Sequence, residues 1–229
     1  MPNIYANTND GYVTRFNQST WSDARANTTG TAVSSTSLGH FTGVRADEAP
    51  ARGGGTTFSI YRSFFYFDTS AILRDVSSAT FKVRGYSNGG GDLIAVKSTS
   101  DIETLGTADF NSMAAGTSGS WQTTTDGSGG GDNTNYVTAY SAQIETWNTG
   151  GYNDIDLNAQ ALADMRDDDT VYICLLNYDY DLLDIEPTGW TSNRNGLFYS
   201  EYSGTSRDPY ITYTLVPAAD NSIFFGANF

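Results

Sequence analysis

The chain has 229 residues, with 26 Asp and Glu against twelve Lys and Arg and a formal net charge of −14. A field of that sign repels phosphate backbones and anionic bilayers, which argues against a nucleic-acid partner or membrane insertion. Serine, threonine, glycine and aromatic residues dominate, and lysine occurs only at Lys82 and Lys97, so the composition suits pleated strands and gives few helices.

The first strand with clear alternation is Gly11–Phe16, followed by Leu38–Arg45, which holds the one histidine, His40. Alternation places His40 on a strand surface, and a general base would need a nucleophile beside it. Thr57–Phe67 is aromatic on both faces over Tyr61–Phe67, the mark of a central strand under cover. Asp68 then heads Asp-Thr-Ser, where its carboxylate can tie a turn. In Ala79–Tyr86, Phe81 and Val83 face one way and Lys82 and Arg84 the other, so this strand has one face in the core and one in water.

Leu93–Ser98 is the next strand, and Thr99–Thr134 is poor in apolar residues, an excursion of the kind that often carries binding. The glycine clusters Gly53–Gly55, Gly89–Gly91 and Gly129–Gly131 lack the helix and lysine of a phosphate-binding loop and read as turns. Strands are expected at Tyr136–Ala142 and Tyr152–Leu157. A short helix is expected at Asn158–Met165, capped by Asp156 or Asn158, with Leu157, Ala161, Leu162 and Met165 at helical spacing.

Thr170–Tyr178 contains Cys174, which has no partner for a disulfide and reads as a small buried hydrophobe. The acidic run Asp179, Asp181, Asp184 and Glu186 is either a solvated loop or a set of oxygen ligands for calcium, without the spacing of an EF-hand. Gly196–Glu201 and Tyr210–Val216 close the strands, Pro209 suits a strand start, and Glu201 is within reach of a pairing with Arg62 or Arg207. Trp121, Trp147 and Trp190 flank loops, where an exposed ring offers a flat platform for a sugar, although Trp is equally an ordinary core residue. With one His and one Cys there is no zinc set, and there is no Gly-x-Ser-x-Gly elbow.

Two stretches carry a resemblance. Arg62-Ser-Phe-Phe-Tyr-Phe-Asp68-Thr-Ser-Ala-Ile72, with Val76-Ser-Ser-Ala-Thr80-Phe-Lys-Val83, resembles the opening signature of the DNRLRE-type domain. Phe198-Tyr-Ser-Glu201 and Asp208-Pro-Tyr-Ile-Thr-Tyr-Thr214 resemble its closing pattern, with Tyr199 and Ser200 departing from it. The resemblance spans roughly residues 10–216 and implies an all-β, jelly-roll-like sandwich related to carbohydrate-binding modules. Related jelly rolls carry a structural calcium, which makes Asp10, Asp68 and Asp208 a second set of ligands implied by the resemblance.

The expected organisation is one β-sandwich over residues 1–216 and a linker and tail over 217–229. The tail places Ile223, Phe224, Phe225 and Phe229 among its last seven residues. Either it packs on its own domain as a last strand, or it docks on a neighbouring subunit. The chain opens Met1-Pro2-Asn3-Ile4, without a recognisable secretion signal, so the expectation is synthesis in a cytoplasm. Tail, opening and jelly roll together resemble minor structural proteins of tailed bacteriophages. That resemblance implies a non-enzymatic virion subunit, a decoration, fibre or knob protein made in a host cytoplasm, homo-oligomeric and assembled with other virion proteins. The alternative is a module that recognises a cell-surface glycan through loop aromatics. No cofactor other than calcium is expected.

Overall fold

A computed structural model describes residues 1–48, 55–100, 105–121 and 132–218. The strands are β1 (Asn3–Tyr5), β2 (Gly11–Gln18), β3 (Ala32–Ser34), β4 (Gly39–Glu48), β5 (Thr56–Asp68), β6 (Val76–Asn88), β7 (Leu93–Lys97), β8 (Tyr152–Asp156), β9 (Thr170–Asn177), β10 (Thr191–Phe198) and β11 (Tyr210–Leu215). Helices α1 (Trp21–Arg25) and α2 (Ala159–Asp167) are short. Every strand pairing is antiparallel, and the chain is an all-β sandwich.

One sheet runs β1-β11-β6-β8, and the other contains β6-β10-β4-β5-β2-β3 with β9 and β7 attached beyond β5. Two strands are long, 13 residues each, and one of them, β6, joins the two sheets. β6 pairs with β11 and β8 through its first part and with β10 through Gly85, Ser87 and Asn88. β5 pairs with β2 and β4 through its first half and with β9 through Ser63–Asp68.

Period-two alternation divides the interior in two. Phe65 and Phe67 of β5, Val171, Ile173 and Leu175 of β9, and Leu93 and Ala95 of β7 pack with β6, β8 and α2 in one core. The intervening Phe64, Cys174, Leu176, Ile94 and Val96 point to the other face and pack with Trp21, Phe110, Met113, Trp121 and Val137. β5 is aromatic on both sides because it lies in the middle layer of three. Full burial of rings such as Phe64, Phe65 and Phe67 contributes roughly 2–3 kcal/mol each.

The third layer is built largely from the apolar-poor excursion. Phe110 and Met113 lie in or beside a 3₁₀ turn, Thr107–Asn111, held where the Gly106 N–H donates to Asp109 Oδ2 at 2.7 Å. Sequence alternation predicts a strand at Tyr136–Ala142, but only Val137 and Ala139 form isolated bridges there. The segment lies along β7 without building a regular ladder: the Lys97 N–H donates to the Thr138 carbonyl and the Tyr140 N–H to the Ala95 carbonyl, each at 2.8 Å, while Val137 packs in the second core. β1, β3 and α1 were not marked by alternation, since three-residue strands and a one-turn helix are too short to show a period.

Candidate functional site

The acidic run lies against the second core. Asn177 Oδ1 accepts from the Tyr180 N–H at 2.8 Å and starts a π-helical turn over Tyr178–Leu182. That turn aims Asp181 inward, where its two oxygens accept Arg62 Nε at 2.8 Å and Nη2 at 2.7 Å, a bidentate fork. Arg62 also donates to the Phe110 carbonyl and to Asn111 Oδ1, each at 2.5 Å. Arg25, at the end of α1, donates to the Asp181 carbonyl at 2.7 Å and pairs with Asp184 Oδ1 at 3.3 Å. Trp21 Nε1 donates to the same Asp184 oxygen at 2.9 Å. Both guanidiniums are fully enclosed, and burial lowers the pKa of Arg25, opposed by Asp181 and Asp184.

These contacts correct three expectations. Asp181 and Asp184 neutralise arginines and are not arranged as calcium ligands, while Glu186 is exposed and Asp179 half-buried away from them. Arg62 pairs with Asp181 and not with Glu201. Among the described residues no group of three or more His, Cys, Asp and Glu could hold a metal ion, and this covers Asp10, Asp68 and Asp208 as well. Asp68 is exposed and accepts Ser70 N at 3.0 Å and Ser70 Oγ at 2.6 Å, the turn its sequence implied. Asp10 is buried and accepts Ser200 N at 3.1 Å and Ser200 Oγ at 2.9 Å. Burial pushes its carboxyl up to about 8, against those hydrogen bonds, with the Asp208 and Glu201 charges adding to the rise.

The three tryptophans separate. Trp121 and Trp147 are each 7% exposed, too enclosed to lay a ring against a sugar, whereas Trp190 is 68% exposed. The Trp121 ring lies under both Arg25 and Arg62, each 4.9 Å from its centroid, and Trp147 Nε1 donates to the Gly196 carbonyl at 3.2 Å. Trp190 stands at the head of β10, beside a recess of about 700 Å³ lined by Phe58, Asp184, Ile185, Glu186 and Pro187.

A larger feature escaped the sequence reading. Beyond the cover of the first core, the rings of five strands touch in succession across the second sheet. Phe16 meets Tyr61 at 5.5 Å and Tyr61 meets His40 at 5.6 Å. Phe41 meets Tyr86 at 5.8 Å, Tyr86 meets Phe198 at 5.1 Å, and Phe198 meets Tyr202 at 5.1 Å. Tyr86 is 36% exposed and Leu38 beside the band 54% exposed, while Phe16, Phe41, Phe198 and Tyr202 are half-buried.

Two arginines lie on these rings. Arg194 sits 4.2 Å from the Phe41 centroid and donates to Tyr61 Oη at 3.0 Å. Arg207 sits 4.0 Å from Tyr202 and 4.6 Å from Phe198. Neither has a carboxylate partner among the described residues. His40 stacks on Tyr12 with centroids 3.7 Å apart, and burial lowers its pKa.

Two glycines make the band possible. Gly43 has φ +138° and lies opposite Arg194, where a Cβ would meet the Asn193 carbonyl at 2.4 Å. At Gly196 a Cβ would fall 2.6 Å from the Tyr86 ring, so the ring rests on bare backbone.

The apolar residues of the tail, Ile223, Phe224, Phe225 and Phe229, lie outside the described residues. Among the described residues no helix is long and apolar enough to cross a membrane. In comparisons with known proteins, no family model and no curated protein matches the chain.

Proposed function

We propose that this chain is a non-catalytic recognition module that binds saccharide on the ring-lined face of its second sheet. The observation that carries the proposal is the ring contact running from Phe16 through the buried Tyr61 to His40, on to Phe41 at 6.1 Å, and then through Tyr86 and Phe198 to Tyr202, edged by arginines that have no carboxylate partner among the described residues. The apolar face of a pyranose stacks on such rings, and guanidiniums donate to its oxygens. Isothermal titration against a panel of oligosaccharides tests it, with Tyr86→Ala and Phe16→Ala, at rings that no guanidinium covers among the described residues, weakening binding about tenfold, as loss of one stacking contact of 1–1.5 kcal/mol implies. Unchanged affinity in both variants would move the site elsewhere, with Trp190 the next residue to replace.

A second reading is carried by the sequence of the tail. Four large apolar residues within seven suit docking between subunits, as in a phage virion protein assembling with copies of itself and with other virion proteins. Light scattering on the full chain and on one ending at Ala219 tests this. An oligomer that becomes a folded monomer on truncation supports assembly through the tail, and two identical monomers remove self-assembly from consideration.

A further inference from the structure

We infer that the ligand of the ring-lined face is a sparsely acidic glycan, mostly neutral sugar with isolated anionic groups. The inference rests on the saccharide reading above and adds a charge class to it. Across a chain of net charge −14, arginines are scarce and most have local acidic or backbone partners. Arg25 and Arg62 are held by Asp181 and Asp184, Arg45 by Asp47 at 2.7 Å, and Arg166 by Asp75 and Asp167. Arg194 and Arg207 differ, because each lies over aromatic rings and neither pairs with a carboxylate among the described residues.

Stacking on a ring holds a guanidinium in one orientation while leaving its edge donors available, so little freedom is lost when an anion arrives. The fork then meets a carboxylate or a phosphate with two parallel hydrogen bonds. Arg194 uses one Nη1–H on Tyr61 and keeps its remaining donors. The two arginines stand at opposite ends of the outer part of β10, since Arg207 covers Phe198 and four residues separate Phe198 from Arg194. At about 3.3 Å per residue that separation is on the order of 13 Å. Between them lie Phe41, Tyr86 and Phe198, which present rings and no charge. Neutral sugar on the rings with an acidic group at either end matches this layout.

The overall charge sets the density. A net charge of −14 repels a polyanion along its whole length, so a uronate polymer or a nucleic acid meets two favourable forks and many unfavourable neighbours. A glycan with one acidic group every few sugars meets the forks and avoids most of the repulsion.

The test is titration of the full chain with lactose, sialyl-lactose, a phosphorylated lactose, polygalacturonate and a single-stranded oligonucleotide, at low and physiological salt. The expected result is that sialyl-lactose or its phosphorylated counterpart binds about tenfold more tightly than lactose, as one charge-assisted fork implies. Whichever of the two is preferred tells carboxylate from phosphate. Arg194→Gln and Arg207→Gln abolish that preference, bringing sialyl-lactose and phosphorylated lactose to the affinity of lactose measured in the same variant, and Arg207→Lys restores only part of it. Circular dichroism confirms that each variant is folded, and Arg207, half-buried between two rings, is the variant least able to disturb the core. Equal binding of lactose and its acidic derivatives would overturn the acidic-glycan inference and leave the saccharide reading standing. No binding of any saccharide would overturn both. Tightest binding of polygalacturonate or the oligonucleotide would overturn the inference in favour of a dense polyanion.

Discussion

Arg62 lies 4.0 Å over the Phe110 ring and Arg194 lies 4.2 Å over the Phe41 ring, nearly the same contact in two different settings. Around Arg62 the protein supplies everything the guanidinium needs: two oxygens of Asp181, a backbone carbonyl and an amide oxygen. Around Arg194 it supplies one phenol and leaves the rest to whatever comes from outside. The difference separates an arginine whose donors are met inside the fold from one that has most of its donors at a ring-lined surface. The first ties α1, the excursion and the π-helical turn to the middle layer, and the second is held ready on a surface of rings.

The sharpest way to break the comparison is Asp181→Asn. It leaves the enclosed Arg62 guanidinium without its carboxylate, while Arg25 keeps Asp184, and removal of one member of a buried ionic network costs about 3–5 kcal/mol. Urea denaturation measures it, and a loss below about 1 kcal/mol would mean that the cluster behaves as a solvated surface pair.

Gly196→Ala comes next, because the new methyl enters the space of the Tyr86 ring. Overpacking of this kind costs about 1–3 kcal/mol, and it should also displace the Tyr86 resonances in a two-dimensional NMR spectrum and weaken saccharide binding. Unshifted Tyr86 signals would show that the ring does not rest on the strand.

The anchor between Asp10 and Ser200 holds the segment that carries Tyr202 and Arg207, and its effect depends on pH. Burial raises the Asp10 carboxyl from 3.8 to about 8 in the folded chain. The stability linked to its protonated form is therefore fully present below about pH 4 and declines as pH rises through about 8. Relative to Asp10→Asn, the parent chain should lose on the order of 2 kcal/mol between pH 6.5 and pH 8.5. Parallel denaturation curves for the two chains across that window would show that Asp10 ionises freely.

The smallest effect is expected for Arg194→Gln and Arg207→Gln, which lose a half-exposed cation–ring contact worth about 0.5–1 kcal/mol each. Thermal melts that fall as far as those of Asp181→Asn would erase the distinction between the two regions.

Legibility in the sequence followed the range of the signal. Alternation placed Phe81 and Val83 inside and Lys82 and Arg84 outside, as observed, and the aromatic run in β5 announced a strand covered on both faces. Asn158 was readable as a cap because its target N–H groups, on Gln160 and Ala161, are two and three residues away. The sequence put Glu201 within reach of Arg62, whereas the observed partner is Asp181, 119 residues distant and outside the range of any local pattern. The ring-lined face left one local trace. Tyr86 occupies the outward set of β6 after Thr80, Lys82 and Arg84, an aromatic where a polar residue is usual.

By itself, then, the sequence determined the all-β class, most strands, the α2 cap and the Asp68 turn, because each depends on contacts within a few residues or on the period of a pleat. Tertiary structure alone decided that the acidic run serves two arginines, that Trp121 and Trp147 are enclosed while Trp190 is not, and that rings from five segments meet on one face. Those outcomes depend on strand register and on which layer covers which, and both are set by contacts between residues far apart in the chain.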